Sequence, residues 1–181
     1  KFKDVPKDVY GWAIDAITKL TNDGIIVGTS DTTFDPSGKV TRAQFVSFLV
    51  RGVKFDAAET TRFKDVAADH WGIKEIAAAD KAGIFDYIKG DALKPDEVLT
   101  RDEMALIAYN VAKAAGIKLP ELQKAIAFDD AEAINPDAVE AVEALSKAGI
   151  ILGNGDGTFA PKGTTIRAAA AKVVNMILTL K

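Results

Sequence analysis

One set of landmarks occurs three times along the chain, so whatever it folds into is built from one supersecondary unit used three times. An arginine stands 18 residues after a glycine at Gly24/Arg42, Gly83/Arg101 and Gly149/Arg167. A proline precedes each arginine by six residues (Pro36, Pro95, Pro161). Each unit opens on a phenylalanine with an aspartate two positions on: Phe2/Asp4, Phe63/Asp65 and Phe128/Asp130. Successive arginines are 59 and then 66 residues apart. The units read as 1–54, 62–118 and 127–181, with 54–62 a linker and 119–126 a short helix filling the longer interval. One unit of about 55 residues buries too little surface to be stable alone, so the three are expected to share one body.

Composition narrows what that body can do. The chain has 181 residues, 48% of them apolar, enough for a sizeable core. A net charge of −3 argues against nucleic acid or an anionic membrane as the main partner. No apolar run approaches the roughly 20 residues that span a bilayer. Without cysteine there is no disulfide framework or thiolate metal site, and the single histidine, His70, excludes ordinary zinc sites and histidine-based triads. His70 reads as a surface residue of a first helical turn. A chain beginning at Lys1 implies an N-terminus that was processed or cut from a longer protein.

Each unit reads helix–loop–helix, giving an all-α fold. The first helices are expected over roughly 9–23, 70–82 and 136–148, with Ile14/Ile17/Leu20, Ile73/Ile76/Ala79 and Val139/Val142/Leu145 as buried ridges. Each ends before a Gly-Ile pair, where glycine suits the left-handed C′ position and isoleucine folds back on the last turn. A turn-rich loop follows, pinned by one apolar plug, Phe34, Leu93 or Phe159. The second helices start at Thr41, Thr100 and about Thr165. Thr41-x-x-Gln44 and Thr100-x-x-Glu103 are capping boxes, which copy three has lost.

An arginine in the first helical turn meets the positive end of the macrodipole, at a cost of roughly 0.3–1 kcal/mol. Its presence in all three copies suggests an added anion, with helix-start amides and a guanidinium fork converging on one carboxylate or phosphate. The alternative is pairing within the chain, with Asp4, Asp65 and Asp130 as candidates. Trp12 and Trp71 each lie 12 residues before the helix-ending glycine, and Asp137 holds that place in copy three. An indole there is a stacking face for a sugar ring or a core residue. The loop GNGDGTF (153–159) lacks the glutamate of an EF-hand and the lysine-serine of a phosphate loop.

Taken in order, Phe2-Lys3-Asp4-Val5, Trp12, Gly24-Ile25, Gly28, Phe34-Asp35-Pro36 and Thr41-Arg42-Ala43-Gln44 resemble the S-layer homology domain. Phe63-Lys64-Asp65-Val66, Trp71, Gly83-Ile84 and Thr100-Arg101-Asp102-Glu103 follow the same pattern. Copy three does so more loosely, through Phe128-Asp129-Asp130, Gly149-Ile150, Gly153, Phe159-Ala160-Pro161 and Arg167. The resemblance covers essentially the whole chain. It implies a monomeric, three-pronged spindle of pseudo-threefold symmetry, with a central helix bundle and grooves between units. The implied role is extracellular: anchoring surface proteins to secondary cell wall polysaccharide that carries pyruvate ketals, each motif arginine binding the ketal carboxylate. It implies no catalysis, metal or cofactor and no membrane insertion.

The implied binding set is Asp4, Trp12, Gly28, Thr29, Arg42, Asp65, Trp71, Tyr87, Arg101, Asp130, Gly153 and Arg167, with a lysine from an adjacent unit. Tyr87 departs from the pattern, replacing the glycine found as Gly28 and Gly153. Copy three lacks both tryptophan and cap, so Arg167 is expected to bind least. Two rival readings are a module joining neighbouring surface proteins and a glycosidase, which needs two carboxylates about 5–9.5 Å apart.

Overall fold

The first helix of every repeat stops where the glycine dictates. A computed structural model describes residues 2–181. The three first helices are α1 (Lys7–Asn22), α3 (Ile73–Lys81) and α5 (Val139–Lys147). After each comes a glycine at φ +69°, +78° or +69°, a conformation open to glycine at little steric cost. The isoleucine N–H then reaches back to the carbonyl of Leu20 (2.9 Å), Ala79 (3.0 Å) or Leu145 (2.9 Å), closing a Schellman motif.

The second helices are α2 (Arg42–Val53), α4 (Arg101–Ala114) and α6 (Arg167–Leu178). Among the described residues these are the six α-helices; there are no strands, only isolated bridges between neighbouring repeats. The fold is all-α.

Several local expectations shift. α3 and α5 begin about three residues late. His70 Nδ1 accepts from Gly72 N–H (3.0 Å) ahead of α3, and a 3-10 turn over Pro136–Ala138 precedes α5. His70 therefore stands outside the helix, its ring 5.4 Å from that of Trp71, rather than on a first-turn surface. The buried ridges start on smaller residues. Ala13 and Ala138 are 0% exposed, whereas Val139 is 47% exposed. Copy three is capped by Ile166, without a side-chain bond, not by Thr165.

Residues 119–126 form no helix. Pro120 lies in a stretch too short to sustain one alone, and Leu122 and Gln123 N–H bind Lys147 C=O at the end of α5 instead (2.9 and 3.2 Å).

The repeats join in a closed circuit. Just before the second helices, Val40 N–H donates to Thr165 C=O (3.0 Å), Thr165 N–H to Leu99 C=O (3.0 Å), and Leu99 N–H to Val40 C=O (2.8 Å). The first helix of each repeat packs on the second helix of the preceding one: α3 on α2, α5 on α4, α1 on α6. Helices α2, α4 and α6 each touch the other two. Phe34 and Phe159 are 0% exposed and Leu93 is 1% exposed, so the plugs belong to the core. Complete burial of each contributes roughly 1.5–3 kcal/mol.

Candidate functional site

The repeated landmarks meet at the joints between repeats. Asp4 accepts from Phe34 N–H (2.9 Å) and Asp35 N–H (2.7 Å). Asp65 does the same for Leu93 and Lys94 (2.8 and 2.7 Å), and Asp130 for Phe159 and Ala160 (2.9 and 2.8 Å). Asp35, Lys94 and Ala160 have φ of 56°, 56° and 54°. That conformation costs an L-residue about 1–2 kcal/mol, and the carboxylate holds it. Burial pushes the Asp4 carboxyl up, but the loop N–H groups outweigh it and leave its pKa lowered. Asp130 is lowered too, first by the Phe159 N–H bond.

The arginines grip the same loops from the neighbouring repeat. Arg42 donates to Leu93 C=O (2.9 Å) and Lys94 C=O (2.5 Å) of repeat two. Arg101 Nε donates to Phe159 C=O of repeat three (2.7 Å), its guanidinium 5.0 Å from the Phe159 ring centroid. Arg167 returns to repeat one, Nε to Phe34 C=O and Nη2 to Val27 C=O, both at 2.9 Å. Arginine and aspartate do not bond each other. They bind opposite faces of one plug peptide, the aspartate its N–H and the arginine its C=O.

The prolines complete the joint and correct one expectation. The N–H groups of Ala43, Asp102 and Ala168 donate to the carbonyls of Pro95, Pro161 and Pro36 (2.8, 3.0 and 3.0 Å). Arg42, Arg101 and Arg167 N–H donate to Glu97, Gly163 and Gly38 C=O (3.0, 2.9 and 2.8 Å). The helix-start amides expected to receive a ligand thus serve the fold.

Each arginine's side chain has a different neighbourhood. Arg42, 6% exposed, also pairs through Nη2 with Glu103 (2.5 Å). Nearby, a groove of about 360 Å³ is lined by Asp86, Tyr87, Asn110, Lys113 and Asp137. The Tyr87 hydroxyl is buried without a partner, and burial followed by the Glu103 charge pushes its pKa far up. Arg167 is 9% exposed, with Nε and Nη2 both engaged.

Arg101 differs. Burial lowers its pKa, but a guanidinium stays charged, and no described residue accepts from its terminal nitrogens. It lines a groove of about 230 Å³ with Trp12, Leu152, Gly153, Ala169 and Lys172. Lys172 Nζ lies 5.6 Å from the Trp12 ring centroid, and Trp12 is 48% exposed. Two cations beside a half-open indole can bind an anion attached to a ring with an apolar face.

This groove brings together Trp12 of repeat one, Arg101 of repeat two and Gly153 of repeat three. Trp12 and Arg42, neighbours in the linear motif, do not share a groove. Lys172 is a lysine of a neighbouring repeat in this groove, but the equivalent positions are Ser47 and Leu106, so no repeat signal marked it. Trp71 is 54% exposed, and its neighbour Gly72 lies against Ser47, the counterpart of Lys172: a Cβ there would be 3.4 Å from Ser47 Oγ.

Thr29 ties the first loop, N–H to Thr33 C=O and Oγ1 to Thr33 Oγ1 (both 2.9 Å). Gly28 is needed for close approach rather than positive φ, since a Cβ would lie 2.5 Å from Thr33 O and 2.6 Å from Phe2. Gly153 meets both demands, with φ +76° and a Cβ position 2.6 Å from Phe128. The GNGDGTF loop is closed by Asp156, which accepts from Thr158 N–H (2.9 Å) and Oγ1 (2.7 Å). Among the described residues, no helix is long and apolar enough to cross a membrane.

Comparison with known proteins finds one family three times along the chain. Residues 1–46, 62–105 and 127–171 match the S-layer homology domain. An endoglucanase of Bacillus sp. (strain KSM-635) is 36% identical over 180 residues, 98% of this chain and 18% of that protein. An amylopullulanase of Thermoanaerobacterium thermosulfurigenes is 35% identical over 180 residues, 98% of this chain and 9% of that protein. The surface-layer 125 kDa protein of Lysinibacillus sphaericus is 30% identical over 146 residues, 81% of this chain and 12% of that protein. The chain thus spans less than a fifth of each of these relatives. With all three repeats matched and the linear motif resolved into joints between them, the chain belongs to the S-layer homology domain family.

Proposed function

We propose that this chain is a non-catalytic anchoring module that holds a larger surface protein to the cell wall by binding a pyruvylated secondary wall polysaccharide. S-layer homology domains are in general cell-wall anchoring modules, and this chain is built of them throughout. The arrangement we infer is a pseudo-threefold spindle around α2, α4 and α6, working as a monomer at the cell surface. The observation that carries the reading is the Trp12–Arg101–Gly153–Lys172 groove. A ketal carboxylate would take the free edge of Arg101, Lys172 would add charge, and the sugar ring would lie against Trp12.

Asp4, Asp65 and Asp130 would act on binding by positioning the loops, and Gly28, Thr29 and Gly153 by shaping them. Tyr87 lines the second groove, beside Arg42, and Trp71 and Arg167 would serve the remaining joint between repeats. The test is calorimetric titration with purified wall polymer, intact and with its pyruvate removed. The intact polymer is expected to bind, depyruvylated polymer and Arg101→Ala at least tenfold more weakly. Equal binding of both polymers would refute ketal recognition. Self-association without polymer binding would favour a module joining surface proteins.

A further inference from the structure

The residue two places after each motif arginine is Gln44, Glu103 or Ala169, and Glu103 and Ala169 lie at the joint with the preceding repeat. Glu103 stands before Arg42. Its Oε1 takes Arg42 Nη2 at 2.5 Å, while Oε2 accepts from Thr100 N–H (3.2 Å) and Thr100 Oγ1 (3.1 Å). The other arm of Arg42 is held by the Leu93 and Lys94 carbonyls. Ala169 lines the groove with Arg101 and presents only a methyl group.

We propose that this position decides which arginine can take an anionic ligand: Glu103 is a built-in carboxylate occupying the Arg42 site, and Ala169 leaves Arg101 open. The inference rests on the wall-polymer reading. It reinterprets the lost cap of copy three. Ile166 has no side-chain acceptor to cap α6 and Ala169 offers no carboxylate at N3; a glutamate at 169 would both cap α6 and close over Arg101. Stability in one repeat is exchanged for access in the repeat before it. Tyr87 and Asp137 reinforce the closure on the Arg42 side, filling the places that Gly153 and Trp12 hold around Arg101.

Two measurements on the full chain test this. In the first, a monosaccharide bearing a pyruvate ketal is titrated into wild type, Ala169→Glu and Ala169→Gln. Ala169→Glu is expected to weaken binding at least tenfold, and the uncharged isostere by less than threefold. Equal binding of wild type and Ala169→Glu would overturn the proposal. The second needs no ligand: Ala169→Glu is made in the parent and in Arg101→Gln, and urea midpoints are compared. A larger rise in the parent shows the new glutamate pairing with Arg101, beyond its effect as a cap. Equal rises would overturn the proposal. If wild type fails to bind the sugar, the wall-polymer reading falls, while the unfolding cycle still decides whether position 169 governs Arg101.

Discussion

Replacing Arg42 by alanine is expected to cost far more stability than replacing Arg101, although the two are equivalent in sequence. Arg42 is 6% exposed and donates to two backbone carbonyls and to Glu103, whose side chain is 23% exposed. Hydrogen bonds to a charged group contribute about 1.5–3 kcal/mol each, and removing one partner of a buried ion pair costs about 3–5 kcal/mol. Relief from the helix dipole returns about 0.3–1 kcal/mol. Contributions within one network are not additive, so the ion-pair figure less the dipole relief sets the expectation for Arg42→Ala, a loss of about 3–4 kcal/mol.

Arg101 makes one protein hydrogen bond and one contact with an aromatic face. Its loss should cost about 1–2 kcal/mol. The gap of about 2 kcal/mol corresponds to about 4–8 °C in melting temperature for a chain of this size. Urea unfolding followed by far-UV circular dichroism measures it, provided the denaturant slopes of the variants agree. Arg42→Ala unfolding within about 0.5 kcal/mol of Arg101→Ala would refute the view that Arg42 is a structural cross-link.

Two further outcomes follow from buried polar groups. Thr165 is 2% exposed and its hydroxyl has no partner, while Val40 and Leu99 fill the equivalent places. Thr165→Val should therefore raise stability by about 1 kcal/mol in the same urea assay, and a loss would mean the hydroxyl is bonded in solution. Asp102 is 1% exposed and accepts from Thr100, Glu103 N–H, Asn135 N–H and Lys162. Burial raises its pKa, but Lys162 and the other donors outweigh that and leave it below 3.8. Its contribution is thus complete above pH 3.8 and is lost as pH falls through the lower folded value. Asp102→Asn should show a shallower acid loss of stability than wild type, and equal pH slopes would refute the assignment.

The fold was largely legible because its signals are local. A glycine that must take positive φ and a threonine followed by glutamine or glutamate act within one turn, so the helix ends could be placed. The 119–126 helix failed because that stretch finds its hydrogen-bond partner in Lys147, which no local propensity encodes. The site was less legible for a geometric reason. Along the chain Trp12 belongs to the same motif copy as Arg42, whereas the groove draws Trp12, Arg101 and Gly153 from different repeats. Copy three has lost the tryptophan and the cap, yet its Ala169 and Gly153 border Arg101, the one motif arginine whose two terminal nitrogens both lack a protein acceptor among the described residues. Repetition itself pointed to function, but Asp4, Asp65 and Asp130 recur because each fastens a strained loop.

Arg167 bonds to Phe34 and Val27, and Ala168 N–H to Pro36, so the last repeat clasps the first. Open repeat arrays have one joint fewer than units and need modified end repeats to shield their outer faces. Here joints and units are equal in number, and no repeat is terminal. Removing any single repeat therefore breaks two of the three joints and strands an arginine on one side and a loop on the other. A fragment of two repeats should be far less than two-thirds as stable as the whole, and mechanical load applied to either end of the chain would meet a body that opens as one piece rather than peeling from a free edge.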